Sequence, residues 1–346
     1  MTVAAAAEAA ARGPAPADGL HVVFGAGPLG LAVAHALAAH GSAGSGHRVR
    51  LVNRSGHAPE APRGAEVVAA DASDPAAARR AAAGAAVVYQ CAQPPYTAWP
   101  ERFPPLQAAI LRAAADAGAT LVLADNLYGY RPHDVARDGP LTEDAPARPV
   151  TRKGRVRAAM AEAALAAHAR GEVRVAIGRA SDFYGPGVTG SALGERAFAP
   201  LVAGRRAMAV GDPDQPHTYT VVEDFARALV TLGARAEALG RAWHVPSPPT
   251  RTTRDLLALA FAAAGHLPRV GATGPLGMRL AGLFVPEARE TVELMYEFTR
   301  PFVVSHARYA AAFGDDHTPH EAALARTVAW YRTAYPAHAA ARGHGR

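Results

Sequence analysis

The stretch LHVVFGAGPLGLAVAHALAAHG, from Leu20 to Gly41, constrains the fold of this chain more than any other. Five mostly apolar, partly β-branched residues lead into Gly25, Gly27 and Gly30, spaced G-x-G-x-x-G, and an Ala/Leu-rich run of helical character follows. The order is strand, tight turn, helix. Each glycine has its own reason in such a turn. The first permits the bend, the second lets the backbone approach a pyrophosphate, and the third lets helix and strand pack closely. The unpaired N–H groups around Pro28 and Leu29 at the helix start, together with the helix dipole, favour phosphate charge. In a chain with 33 glycines the spacing alone is weak. Its position between a strand and a helix points to dinucleotide binding over a plain strand–helix turn.

With 346 residues, 50% of them hydrophobic, the chain can bury a large core and form one two-lobed unit or two domains. The formal charge of +6 is carried almost wholly by arginine and includes no basic block interleaved with aromatics, so no nucleic-acid partner is expected. Cys91 is the sole cysteine, which excludes an internal disulfide and cysteine-cluster metal sites and suits a reducing cytoplasm. Residues 1–18 lack the basic start and solid apolar core of a signal peptide and read as a disordered leader. Residues 337–346 read as a disordered tail, whose histidines lack metal-ligand spacing. No metal is expected. No apolar run approaches membrane-spanning length, so a soluble protein is expected.

Beyond the flexible GSAGSG segment, HRVRLVNRSG reads as the second strand, ending at Asn53, Arg54 and Ser55. An acid at that tip would hold the ribose 2′-OH of NAD, whereas arginine accommodates the 2′-phosphate of NADP. The amide, cation and hydroxyl found here favour NADP, with NAD as the alternative. In Gly64–Asp74 a third strand ending in Asp71 is expected, bringing Asp71 and Ala72 to the cofactor, and Pro75 starts a short helix. The fourth strand, within Ala85–Pro95, delivers Cys91 and Ala92 to the cofactor edge. A helix over Leu106–Ala117 and a fifth strand over Ala119–Tyr130 follow. Strands alternating with helices specify a parallel sheet covered on both faces, with ligands at the carboxyl ends of its strands.

Several further motifs appear in order: LYG at Leu127–Gly129, TEDAPARP at Thr142–Pro149, RASDFYGPG at Arg179–Gly187, YTVVEDFARALV at Tyr219–Val230 and WHVPSP at Trp243–Pro248. Together with the glycine turn they resemble the extended short-chain dehydrogenase/reductase superfamily, the NAD-dependent epimerase/dehydratase proteins, from Leu20 to Trp330. The resemblance implies an α/β fold, with a Rossmann-type doubly wound parallel sheet and a smaller C-terminal substrate-binding lobe. It divides the chain into a dinucleotide-binding domain over 19–180, rejoined by 217–246, and a substrate lobe formed by 181–216 and 247–336. It also allows a homodimer.

The usual chemistry of that superfamily requires a Ser or Thr, a Tyr acting as acid/base, and a Lys one helical turn after the Tyr. The corresponding positions hold Ala124, Lys153 and Arg157, and no tyrosine lies between Arg131 and Asp182. Lys153 is the sole lysine of the chain. It is therefore the candidate proton donor or acceptor, because arginine stays charged. Arg157 is the candidate contact for ribose or phosphate. Asp125 and Tyr184 are second choices for catalysis, Tyr96 is another phenol expected near the site, and Arg205, Arg206 and His217 are candidates to face an anionic substrate. The resulting expectation is NAD(P)-dependent hydride exchange on a small carbonyl, hydroxyl or sugar-type substrate. The alternative is a non-catalytic NADP(H)-binding sensor of the same fold.

Overall fold

The structure is a computed structural model and describes residues 18–40, 48–131 and 139–336. Apart from Asp18, the expected leader lies outside the described residues, as do the GSAGSG segment and the expected tail.

Five strands fall in the stretches where the sequence places them, β1 (Leu20–Phe24), β2 (Arg48–Asn53), β3 (Glu66–Ala69), β4 (Ala85–Gln90) and β5 (Thr120–Asp125), and β6 (Arg174–Arg179) follows. With the edge strand Ala242–His244 they form a seven-stranded sheet, ordered Ala242–His244, β6, β5, β4, β1, β2, β3. Every pairing in it is parallel. The strand order reverses at β1, between β2 and β4, and this is where a crevice opens beyond the strand ends of such a sheet.

One sheet face carries the helices Pro75–Ala82, Trp99–Asp116 and Arg152–Ala169, packed through Val22, Phe24, Leu121, Leu123, Ile110 and Met160. The opposite face carries Pro28–His40 and Val222–Ala234, packed through Val23, Leu37, Leu51, Val122 and Leu229. A third core, around Phe198, Leu201, Leu257, Phe261 and Tyr331, joins helices Glu195–Val202, Thr253–Ala263 and His320–Ala334. Among the described residues no helix is long and apolar enough to cross a membrane.

Three expected elements differ in extent. The third strand stops at Ala69, so Asp71 lies in the loop beyond it, where its carboxylate accepts from Ser73 N–H and O–H. The fifth strand stops at Asp125, because the chain then turns, with Tyr130 N–H bonded to Leu127 O at 3.1 Å. The helix expected to begin at Leu106 begins at Trp99 and runs through Pro104 and Pro105. Burial of Trp99, Phe103 and Leu106 against the sheet outweighs the backbone bonds those prolines forgo.

Candidate functional site

At the carboxyl ends of β1 and β4 the glycine turn is sterically specified. Gly25 has φ +105°, and a Cβ there would fall 2.6 Å from Ala92 N. A Cβ at Gly30 would fall 1.8 Å from Gly25 O, so the third glycine is needed for helix and turn to touch. Gly27, by contrast, has open space around its missing side chain. This is the approach a pyrophosphate would need. The turn is pinned from behind by Gly25 N–H to Val52 O at 2.8 Å.

A cleft of about 790 Å³ lies in front of this turn. Of the residues expected to hold a cofactor, Gly25, Gly27, Pro28, Leu29, Asn53, Arg54, Asp71, Ala72, Cys91 and Ala92 line it. Gly30 and Ser55 are not among its wall residues. Gly30 acts from behind, through packing, and Ser55 bonds into its own loop. The Asn53 side chain is likewise occupied, accepting from Gly56 N–H at 2.7 Å and donating to His57 O at 2.9 Å. Arg54 is thus the charged group of that trio on the cleft. Hydrogen bonds from Ser73, with Arg54 and Arg102 nearby, hold the Asp71 carboxyl below its ordinary value. Gln90 also lines this cleft, and its buried Oε1 has no protein partner. Burial pushes the Cys91 thiol up to about 12, which makes it wall and not nucleophile.

Arg157 belongs to an ion-pair chain centred on Asp125. Asp125 Oδ1 accepts from Arg157 Nε at 2.8 Å and Oδ2 from Arg179 Nε at 2.9 Å. Arg157 Nη2 also donates to Ala124 O at 2.9 Å, and its guanidinium lies over the Phe103 ring at 4.7 Å. Arg179 donates on to the Tyr130 hydroxyl at 2.7 Å, and that hydroxyl contacts His244 Nε2 at 2.9 Å. Burial raises the Asp125 carboxyl, but the two guanidiniums outweigh it and leave the carboxyl below its ordinary 3.8. An ionised, doubly paired Asp125 can accept hydrogen bonds but has no proton to give near neutrality. Arg157 and Asp125 both line the cleft.

Lys153 and Tyr184 are placed elsewhere. The Lys153 side chain is 1% exposed, its Nζ paired with Glu290, with Glu293 Oε1 at 3.2 Å and with Glu290 O at 3.3 Å. It lies 4.6 Å from the centre of the Tyr96 ring, and it lines neither this cleft nor the cavity next to it. The geometry gives it the role of anchoring segment 286–297 to the helix that carries it. Lys153→Met is expected to lower stability by about 1–3 kcal/mol, the range for leaving buried polar partners unmade. Urea unfolding checks it, and a loss below about 0.5 kcal/mol would remove the anchoring role. Tyr184 is fully buried in the third core, its hydroxyl on His320 Nδ1 at 2.8 Å, and it faces neither cavity.

A second cavity, about 260 Å³, adjoins the cleft. The two share Pro28, Gln93, Trp99, Asp125, Asn126 and Phe183 as walls. In it the hydroxyls of Tyr96 and Tyr128 share a hydrogen bond of 3.0 Å. Asp182 and Glu297 bring carboxyl groups to the same cavity, and His217 stands behind Asp182, with Nε2 on Oδ2 at 3.0 Å. His217 therefore does not face an anionic substrate: it is buried between the Phe298 and Phe302 rings, with centroids at 5.0 and 5.1 Å. Arg205 and Arg206 are exposed and line neither cavity. Burial, then Asp182, pushes the Glu297 carboxyl well above its ordinary value. Glu297 lies outside every motif read from the sequence; Asp182 lies within RASDFYGPG and His217 is among the sequence candidates, but their pairing carries no sequence signal.

Away from this site, His306 Nε2 and His317 Nδ1 each contact Asp315 Oδ1 at 2.9 Å, a grouping the expectation of no metal did not foresee.

Compared with known families, the chain matches the NAD dependent epimerase/dehydratase family over residues 21–245, well over half its length. It belongs to that family. A curated dTDP-glucose 4,6-dehydratase from Streptomyces griseus is 30% identical over 144 residues, which cover 42% of this chain and 42% of that protein. Among solved structures, an epimerase from Methanothermobacter thermautotrophicus superposes with a TM-score of 0.74 at 17% identity, over 95% of this chain and 96% of that one. A UDP-glucuronic acid 4-epimerase from Bacillus cereus, solved with NAD, gives 0.71 at 14% identity, over 93% of this chain and 99% of that one. At such identities the likeness is one of fold.

Proposed function

We propose that the chain is an NAD(P)-dependent oxidoreductase or epimerase/dehydratase that exchanges hydride with a small hydroxyl or carbonyl compound seated in the second cavity. The observation that carries this reading is the adjacency of the two cavities: the cleft in front of the glycine turn shares Asn126, Phe183 and four other walls with a smaller chamber whose wall residues include hydroxyl and carboxyl groups. The family membership and the relatives named above support the same reading. A nicotinamide cofactor, when bound, supplies the hydride.

The protein's own residues bind, orient and move the proton. Gly25, Gly27 and Leu29 would cradle the phosphates, and Arg54 a 2′-phosphate, with Asp71 on the same wall. Arg157, fixed by Asp125 and by the Phe103 ring, would take the ribose contact that a lysine makes elsewhere in the family. Tyr96 is the proton carrier in this proposal. Its hydroxyl lies on the chamber wall, hydrogen-bonded to Tyr128, and burial raises its pKa well above the ordinary 10.0. It is protonated near neutrality and able to donate to a developing alkoxide.

Calorimetric titration with NADPH and NADH tests the cofactor assignment. NADPH is expected to bind more tightly, and Arg54→Ala to weaken NADPH about 10–100-fold with little change for NADH, as loss of a charge-assisted hydrogen bond implies. Binding of neither nucleotide would overturn the proposal. The missing tyrosine of the helix Arg152–Ala169 favours a second reading, a sensor that binds NADP(H) without turnover. Bound NADPH whose fluorescence survives every candidate carbonyl compound would decide for the sensor.

A further inference from the structure

We infer that the second cavity takes a small amine-bearing hydroxy or carbonyl compound, its ammonium group held by the carboxyl groups of Asp182 and Glu297. The inference rests on the proposed function for the chemistry, but the charge argument belongs to the cavity itself. Among its described wall residues there are three carboxyl groups and no Arg, Lys or His. Asp125 is already matched by two guanidiniums. Asp182 accepts from His217 through Oδ2, and Glu297 Oε1 accepts from the Tyr296 hydroxyl at 3.2 Å. Glu297 is 2% exposed and has no cation against it in any ion pair found among the described residues. Burial, and then the neighbouring Asp182, push its carboxyl well above the ordinary value.

Two independent features say that a polar ligand completes the cavity. Ser181, 6% exposed, is a wall residue whose buried Oγ has no protein partner, and Ser191, a half-buried wall residue, carries a second such Oγ. Such hydroxyls cost stability unless something bonds them, and a substrate hydroxyl or carbonyl would. Tyr96, Trp99, Tyr128, Phe183 and Phe302 also line the cavity. Aromatic faces beside carboxyl groups suit an ammonium ion and not a phosphate. A phosphate or nucleoside diphosphate would meet Asp182 and Glu297 with no Arg or Lys among the described wall residues to receive it. This separates the chain from the relatives whose names carry UDP or dTDP sugars.

The test is calorimetric titration of the full chain, with and without saturating NADPH. The probes are serinol and glucosamine, the neutral counterparts glycerol and glucose, and glucose 1-phosphate. At least one amine is expected to bind at least tenfold more tightly than its neutral counterpart. Glu297→Gln, which keeps the Tyr296 contact, and Asp182→Asn should each erase that advantage while leaving NADPH affinity unchanged. Equal binding of amine and neutral partner, tighter binding of glucose 1-phosphate, or no binding of either amine overturns the inference. Amine binding in a protein that fails to bind NADPH or NADH would uphold it and overturn the proposed function instead.

Discussion

Asp125→Ala is expected to lower the unfolding free energy by about 3–5 kcal/mol, the range for removing one partner from a buried ion-pair network. The carboxylate is 7% exposed and holds two guanidiniums whose side chains are 6% and 11% exposed. Without it, Arg157 and Arg179 keep their charge in a site that offers only the Ala124 carbonyl and the Tyr130 hydroxyl. Asp125→Asn should lose less, since the amide oxygen still accepts one hydrogen bond. The pH dependence follows from the depressed carboxyl. Its contribution is fully present above the unfolded value near 3.8 and disappears as pH falls through the lower folded value. Urea unfolding of both variants should therefore show a constant deficit from neutrality down to about pH 4, narrowing below that. A deficit under about 1 kcal/mol at neutral pH would show that water reaches the pair, and the buried network would lose its structural role.

The half of this site in front of the glycine turn was legible because its constraints are local. Gly25, Gly27 and Gly30 lie within one turn; Gly25 needs a positive φ, Gly30 a close contact that a Cβ would block, and Gly27 leaves open space. Asp71, Cys91 and Ala92 are legible for a related reason: ligands gather at the ends of parallel strands, so any residue just past β3 or β4 faces the cleft. The second cavity is built from distant pieces. Glu297 reaches the cavity because the segment Val292–Glu297 folds back against helix Arg152–Ala169, where Lys153 meets carboxylates 137 and 140 residues further on. The uniqueness of Lys153 is visible in the sequence, but its partners are not. A lone lysine on the expected catalytic helix therefore reads as an acid/base until Glu290 and Glu293 come into view. Tyr184 misleads for a different reason. Phe183 and Tyr184 pair in parallel with Thr220 and Val221, and the alternation of a strand sends Phe183 to the cavity and Tyr184 into the third core. A one-residue difference in facing cannot be read from a motif alone.

If Tyr96 carries the proton, Tyr96→Phe should lower turnover by about 100–10,000-fold, the span that general acid–base groups contribute. NADPH affinity should hold, because the ring and its packing on Trp99, at 4.9 Å between centroids, remain. Tyr128→Phe removes the hydrogen-bond partner and not the donor. The loss of one such bond, about 0.5–1.5 kcal/mol, predicts a fall of roughly 2- to 12-fold. The pH profile separates these roles. Burial holds the Tyr96 hydroxyl protonated beyond the ordinary tyrosine range, so reduction of a carbonyl should show no loss from neutrality to about pH 9 on its account. Lys153→Arg offers the contrasting arm. It keeps a positive charge beside Glu290 and Glu293 but ends proton exchange at that position. Full turnover in Lys153→Arg with collapse in Tyr96→Phe assigns the proton to the phenol. The opposite pattern, collapse in Lys153→Arg with turnover intact in Tyr96→Phe, returns the role to the lysine. It would also require the buried ion pair with Glu290 to open during each catalytic cycle, since the ammonium is enclosed in the resting structure.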